Sequence, residues 1–232
     1  MARRHEITRL EGFSDAVFAF ALTLLVVSLE VPESFEALRT TMLGFLPFAL
    51  TFAMICWFWY EHQRFFRRFG MEDAWTVTLN CVLLFVVLFY VYPLKFLTRD
   101  LVGPLVGLHR TDDVGISQHG DIVLALYSVG VVLIFGTFVA LYRHAWRQRE
   151  LLGLDAAEEV QVQSGLRGHA LSGLLGVLSL IMIGFARQFE IGWLVPMAGF
   201  IYMLLGPVLA WNGVRTGRAL RALALTESHA KR

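Results

Sequence analysis

Six apolar runs, each close to the length a helix needs to cross a hydrocarbon layer, are spaced along this 232-residue chain. They cover residues 13–31, 41–60, 74–97, 122–142, 170–186 and 191–211. A bilayer core about 30 Å thick takes roughly 20 predominantly apolar residues per helix. In lipid, backbone polar groups must be satisfied within the spanning segment, which leaves the helix as the natural form for runs of this length. The runs therefore predict an all-α membrane protein: a single domain over 1–232 with six transmembrane helices. Composition agrees. Hydrophobic residues make up 56% and charged residues 17%, against roughly 45–50% and 25% in soluble domains.

The basic residues set the expected orientation. With six spans, one side holds the N-terminus, the second and fourth connections and the C-terminus. Fifteen of the 20 Lys and Arg residues fall there, among them Arg3, Arg4 and Arg9, Arg64, Arg67 and Arg68, and Arg143, Arg147 and Arg149. Arg39, Lys95, Arg99, Arg110 and Arg187 are on the other side. Cytoplasmic loops are enriched in Lys and Arg, so both termini are expected in the cytoplasm. The six tryptophans, Trp57, Trp59, Trp75, Trp146, Trp193 and Trp211, are expected near helix ends at the interface. The first run continues into Glu30-Val31-Pro32 without a small-residue cleavage site, so it reads as a retained helix.

Between the runs, residues 150–163 could form a short amphipathic surface helix. The tail from Arg215, with Arg218 and Arg221 beside leucines, is either a helix lying on anionic lipid or a solvated end. Gly173, Gly176 and Gly184 suggest close helix approach, and Pro196 and Pro207 suggest kinks. Cys56 and Cys81 lie in apolar runs and read as packing residues. His109, His119 and His169 are scattered, so no metal site, cofactor or nucleophile–base pair is expected, and no nucleic-acid motif either. Nothing points to an enzyme.

The first run carries the unusual chemistry. A charged group inside a membrane is costly and usually has a purpose, and Asp15 falls just inside it. At about 100° per residue, Phe20, Thr23, Leu24 and Val27 share one stripe, which Phe13, Ala16 and Val31 extend. Asp15 lies about 140° away from Phe20 on the same wheel and should face other helices. The end of the second run, with Trp59 and His62, and the start of the third, with Asn80, come to the same depth. Arg9, Asp15, His62 and Asn80 can then meet, either as a proton relay or ion site or as a polar clasp fixing the first helix. None of the four is on the stripe, which favours the clasp. The stripe is apolar apart from Thr23, and by pattern alone it reads as ordinary helix packing. Glu30, about 80° from the stripe centre, could form an anionic vestibule or meet headgroups.

The segment Arg9-x-x-x-Phe13-Ser14-Asp15 resembles the RxxxFSD signature of bacterial members of the transmembrane protein 175 family, the endosomal and lysosomal potassium channels. Trp59-x-x-His62 and Asn80 resemble the family's polar positions on the next two helices, so the resemblance covers about the first 95 residues. It implies a homotetramer in a bacterial inner membrane, with four copies of helix 1 around a pore for potassium ions. By similarity, Phe20 falls at the narrowest hydrophobic layer, Thr23 at the threonine layer linked to potassium preference, and Leu24 and Val27 at further hydrophobic layers. The family commonly has Ile or Leu where this chain has Phe20, which implies a bulkier constriction. There is no TVGYG filter, and Ser128-Val129-Gly130 is only a superficial echo of one. Selectivity would then rest on sieving, dewetting and the Thr23 hydroxyls, and should be modest. Two other classes stay open: a proton-coupled carrier using Asp15 and His62, and a non-conducting membrane scaffold.

Overall fold

A computed structural model describes residues 7–29, 31–108 and 116–230, and among them every regular element is helical. In chain order these are α1 (Arg9–Val27), α2 (Phe35–Leu43), α3 (Phe45–Phe69), α4 (Ala74–Val102), a 3₁₀ turn (Gly103–Val106), α5 (Ile116–Arg147), α6 (Arg149–Leu152), α7 (Ala156–Gln188), α8 (Leu194–Phe200), a second 3₁₀ turn (Ile201–Leu204) and α9 (Leu205–Ala230). Four single helices, α1, α4, α5 and α7, are long and apolar enough to cross a membrane, as is the stretch Leu194–Thr226. The pair α2 and α3 makes a sixth span if read as one, bent by 44°.

The helix boundaries follow local chemistry. Thr8 opens α1 with a capping box: its hydroxyl accepts from the Glu11 amide at 3.2 Å, and the Glu11 carboxylate accepts from the Thr8 amide at 2.9 Å. The run expected over 41–60 differs most. A helix continued from α2 would bring the ring of Pro47 against the carbonyl of Leu43, and proline has no N–H to donate to it. The chain bends at Gly44 instead, and α3 then runs on to Phe69. Gly70 closes it in the left-handed region at φ 55°. Trp57 and Trp59 consequently sit inside α3 rather than at its end.

Two more boundaries depart from the sequence reading. The fifth run, expected over 170–186, belongs to α7, a 33-residue helix that starts at a second capping box of Asp155 and Glu158. The surface helix expected over 150–163 is absorbed: α6 is one short turn, and most of the rest is the start of α7. The sixth run is divided into α8, which holds Pro196 in its first turn, a 3₁₀ turn and α9. Pro207 cannot donate to the carbonyl four residues earlier, Met203, which lies in the tightened segment. The basic tail is the continuation of α9 to Ala230.

The chain divides into two compact units, with α4 and α5 contributing to both. In the first (1–72 and 80–130), α1 packs on α3, and Phe18, Ala21, Leu25, Ile55 and Phe65 are buried. In the second (73–79 and 131–232), α7 packs on α8 and α9. There His169 stacks on Phe138 with ring centroids 4.7 Å apart. Asn212 of α9 donates to the Ser164 carbonyl at 2.9 Å and accepts from Arg167 at 2.8 Å. Lipid tails are as apolar as leucine, so such helices are held by close packing and polar links rather than by expulsion from water. The closest approaches on α7 lie at Gly165 and Gly168; Gly173, expected to pack, meets Phe135 at 3.6 Å, whereas Gly184 meets nothing among the described residues.

Candidate ion pathway and its polar anchor

Helix α1 has two faces. Ser14, Phe18, Ala21 and Leu25 form the buried one. The stripe singled out in the sequence faces away from the rest of the unit: Phe13 and Phe20 are each 56% exposed and Val27 72%, Thr23 is exposed and Leu24 half-buried. An apolar stripe on an otherwise packed helix needs lipid or another chain to cover it. The one hydroxyl on it is oriented. Thr23 Oγ1 donates to the Ala19 carbonyl at 2.9 Å, so its proton is turned to the helix and its oxygen lone pairs outward. That is the polarity a cation meets favourably.

On the other side, polar groups secure the helix. The Trp59 indole N–H donates to Asp15 Oδ1 at 2.7 Å, a charge-assisted bond between α3 and α1. A second link runs through three buried side chains. Asn80 Nδ2 donates to Ser14 Oγ at 2.9 Å, and Ser14 Oγ donates to the Leu10 carbonyl at 2.8 Å. The Asn80 amide oxygen, 2.7 Å from His62 Nε2, can only accept. His62 must therefore carry its proton on Nε2 toward Asn80. Its Nδ1 is buried without a hydrogen-bond partner among the described residues, and its ring lies between Phe18 and Phe66, at 5.6 and 4.4 Å.

The four residues expected to meet at one depth thus form two separate links. Asp15 pairs with Trp59; His62 pairs with Asn80, which reaches Ser14. Arg9 is exposed and takes part in neither. The expected vestibule residue Glu30 lies outside the described residues, as do Arg3, Arg4 and His109. The sequence reading missed a third anchor at the other end of α1. Lys95 Nζ on α4 donates to the Ser28 carbonyl at 2.8 Å and to Ser28 Oγ at 2.6 Å. A cation there matches the negative end of the α1 dipole. A lysine late in an apolar run was the available signal, since such a residue requires a partner.

Described residues that are helical throughout their regular elements, with five or six apolar spans, define a multi-pass membrane protein. A family profile described as the endosomal/lysosomal potassium channel TMEM175 matches residues 9–90, the region holding α1, α3 and the start of α4. A protein of Marivirga tractuosa named as a potassium channel is 37% identical over 231 residues, covering 95% of this chain and 92% of its own. A potassium channel of Chamaesiphon minutus is 28% identical, covering 82% and 87%. The crystal structure of a variant of the potassium channel MtTMEM175, bound to a nanobody–MBP fusion, superposes with a TM-score of 0.81 at 36% identity, covering 94% of this chain and 97% of that one. The chain belongs to the TMEM175 family.

Proposed function

We propose that this chain is one subunit of a homotetrameric, potassium-permeable cation channel in a bacterial inner membrane, with six spans per subunit and both termini in the cytoplasm. Four copies of α1 surround the axis. Phe20, Thr23, Leu24 and Val27 line the pathway, and Phe20 forms its narrowest layer. The observation that carries this reading is the exposed α1 stripe, bare in the single chain while the opposite face is buried and hydrogen-bonded. The names of the relatives as potassium channels support it.

The proposed chemistry follows from the lining. Apolar rings give a permeating ion no replacement for its hydration shell, so water leaves a narrow apolar layer and the layer acts as a gate. Four Thr23 oxygens offer lone pairs beyond it. Potassium holds its water less tightly than sodium and passes such a layer at lower cost, which yields a modest preference.

Cation flux into proteoliposomes tests the reading, under a potassium gradient with sodium as comparator, for the wild type and Phe20→Ala. Potassium flux in either protein, greater in Phe20→Ala, is the expected result. No flux in either, from a protein shown by its mass in solution to be a folded tetramer, would remove the pore assignment.

A further inference from the structure

Helices α7 and α9 pack on one another in the second unit, in a region the ion pathway does not use. Gly168 of α7 leaves room there for buried Asn212 of α9: a Cβ at that position would sit 2.9 Å from Asn212 Nδ2. Asn212 Nδ2 donates to the Ser164 carbonyl at 2.9 Å and to Ser164 Oγ at 3.2 Å, and its Oδ1 accepts from Arg167 Nε at 2.8 Å. The amide is fixed on α7, and it fixes the Arg167 guanidinium in turn. With Nε occupied, the remaining donors of Arg167 are on its terminal nitrogens. These have no partner among the described residues. Three residues beyond Asn212, the Arg215 guanidinium lies over the Trp211 ring, 5.5 Å from its centroid. It is close enough to Arg167 for their positive charges to repel. No carboxylate offsets them. Neither arginine forms an ion pair among the described residues. The sequence places no Asp or Glu on α7 after Glu159 or on α9 before Glu227. Two like charges on different helices, one of them half-buried and held in place, are costly beside lipid until an anion neutralises them. Arg167 precedes the fifth apolar run and Arg215 follows the sixth, next to a tryptophan of the kind that sits at the interface. Both arginines therefore fall at headgroup depth.

We propose that Arg167 and Arg215 together bind one phosphate oxyanion, the Arg167 fork meeting two of its oxygens and Arg215 closing on it from α9. A guanidinium fork on phosphate is the strong, bidentate form of charge-assisted contact. Basic sites between membrane helices are where anionic headgroups bind. The anion adds a second link between α7 and α9 beside the one that Asn212 makes. This binding rests neither on the channel reading nor on the number of subunits.

The test is binding to the purified full-length chain in a neutral detergent, read by native mass spectrometry and by melting temperature. The probes are short-chain phosphatidylglycerol, short-chain phosphatidylcholine and inorganic phosphate. Phosphatidylglycerol should bind saturably and raise the melting temperature. Arg215→Gln should weaken it at least tenfold. That side chain is exposed and meets only the Trp211 ring among the described residues, so the melting temperature without ligand should stay near that of the wild type. Arg167→Lys keeps the charge but not the fork and should weaken binding too. Arg221→Gln removes an equal charge from the same helix, about 120° round from Arg215, and should leave binding unchanged. Binding of phosphatidylglycerol without inorganic phosphate identifies a lipid headgroup; binding of both, or of phosphate alone, identifies a site for the free anion. Binding of neither overturns the proposal, as does undiminished binding in Arg215→Gln or Arg167→Lys. An equal loss in Arg221→Gln would overturn it by showing a diffuse basic surface, and so would equal binding of phosphatidylcholine, whose own cation offsets its phosphate. A channel that conducts nothing would leave this result untouched.

Discussion

Trp59 and Asp15, 44 positions apart in the sequence, meet at 2.7 Å and tie α3 to the first turns of α1. With Asn80 on Ser14 near the same end and Lys95 on Ser28 at the far end, α1 is held by polar links at both extremities. Its middle, Phe18, Ala21 and Leu25, is packed without them. All three links leave the stripe face alone. A helix pinned this way holds its register while the opposite side chains stay free to meet an ion, a lipid or another copy.

If the Trp59–Asp15 bond contributes as a bond to a charged group does, Trp59→Phe should cost about 1.5–3 kcal/mol. Asp15→Asn keeps an acceptor and should cost less. Trp59→Phe and Asp15→Ala, each of which removes the bond, should couple in a double-mutant cycle on thermal stability, with an interaction energy of about 1 kcal/mol or more. Additive effects would show that the two side chains do not act on one another.

Ser14→Ala removes only one oxygen, yet it leaves a fully buried Asn80 N–H without its acceptor. The expected cost is about 1–3 kcal/mol, the penalty for an unsatisfied buried donor. Ser14→Gly would share that loss, whereas Ser14→Thr retains the hydroxyl and should be milder. Melting temperatures in one detergent rank the three.

The sequence made the spans legible because a bilayer imposes length and apolarity on each helix. It also separated the two faces of α1, since Phe20, Thr23 and Val27 share one wheel position and Asp15 does not. Pairing was less legible. Depth alone allowed Arg9, Asp15, His62 and Asn80 to converge, but which donor reaches which acceptor depends on rotation of α3 and α4 about their axes, and hydropathy carries no record of that. The bend at Gly44 was readable in principle from Pro47. It was missed because residues 41–60 are continuously apolar, and apolarity masks a break in the backbone.

Asp73 provides a pH dependence outside the spans. Its carboxylate caps the start of α4 through the Trp75 and Thr76 amides, accepts the Thr76 hydroxyl at 2.6 Å and meets His144 at 2.9 Å. Partial burial works against its ionisation, but the Thr76 and His144 hydrogen bonds outweigh it and hold the group below its usual value. A depressed acid stabilises the fold above its unfolded pKa, near 4, and loses that stabilisation as pH falls through the lower folded value. The gap in melting temperature between wild type and Asp73→Asn should be full at pH 6 and shrink below about pH 4. A gap that grows on acidification would contradict the assignment.

Gly165 lies where α7 crosses α5, and a methyl group there would overlap the ring of buried Tyr142. Gly165→Ala should therefore cost about 1–3 kcal/mol, the range for overpacking. The double variant Gly165→Ala with Tyr142→Leu should cost less than the sum of its parts, because the smaller side chain vacates the space. Gly184→Ala, which meets nothing among the described residues, should be close to neutral.

Thr23 offers the sharpest test of the proposed pathway, because its structural and functional roles separate cleanly. Among the described residues its hydroxyl bonds only to its own helix, at Ala19, and the side chain is exposed. Thr23→Val keeps the shape and removes the oxygen, and exposed substitutions of this kind shift stability by no more than about 0.5 kcal/mol. The melting temperature should therefore stay near that of the wild type. If four Thr23 oxygens face the permeating ion, the ratio of potassium to sodium flux should fall two- to fivefold, or about 0.4–1 kcal/mol at about 1.4 kcal/mol per tenfold. Thr23→Ser, which retains the oxygen, should hold the ratio near the wild-type value. A ratio unchanged in Thr23→Val would mean that the hydroxyl does not meet the ion, and that whatever preference exists arises at the apolar layers of Phe20, Leu24 and Val27.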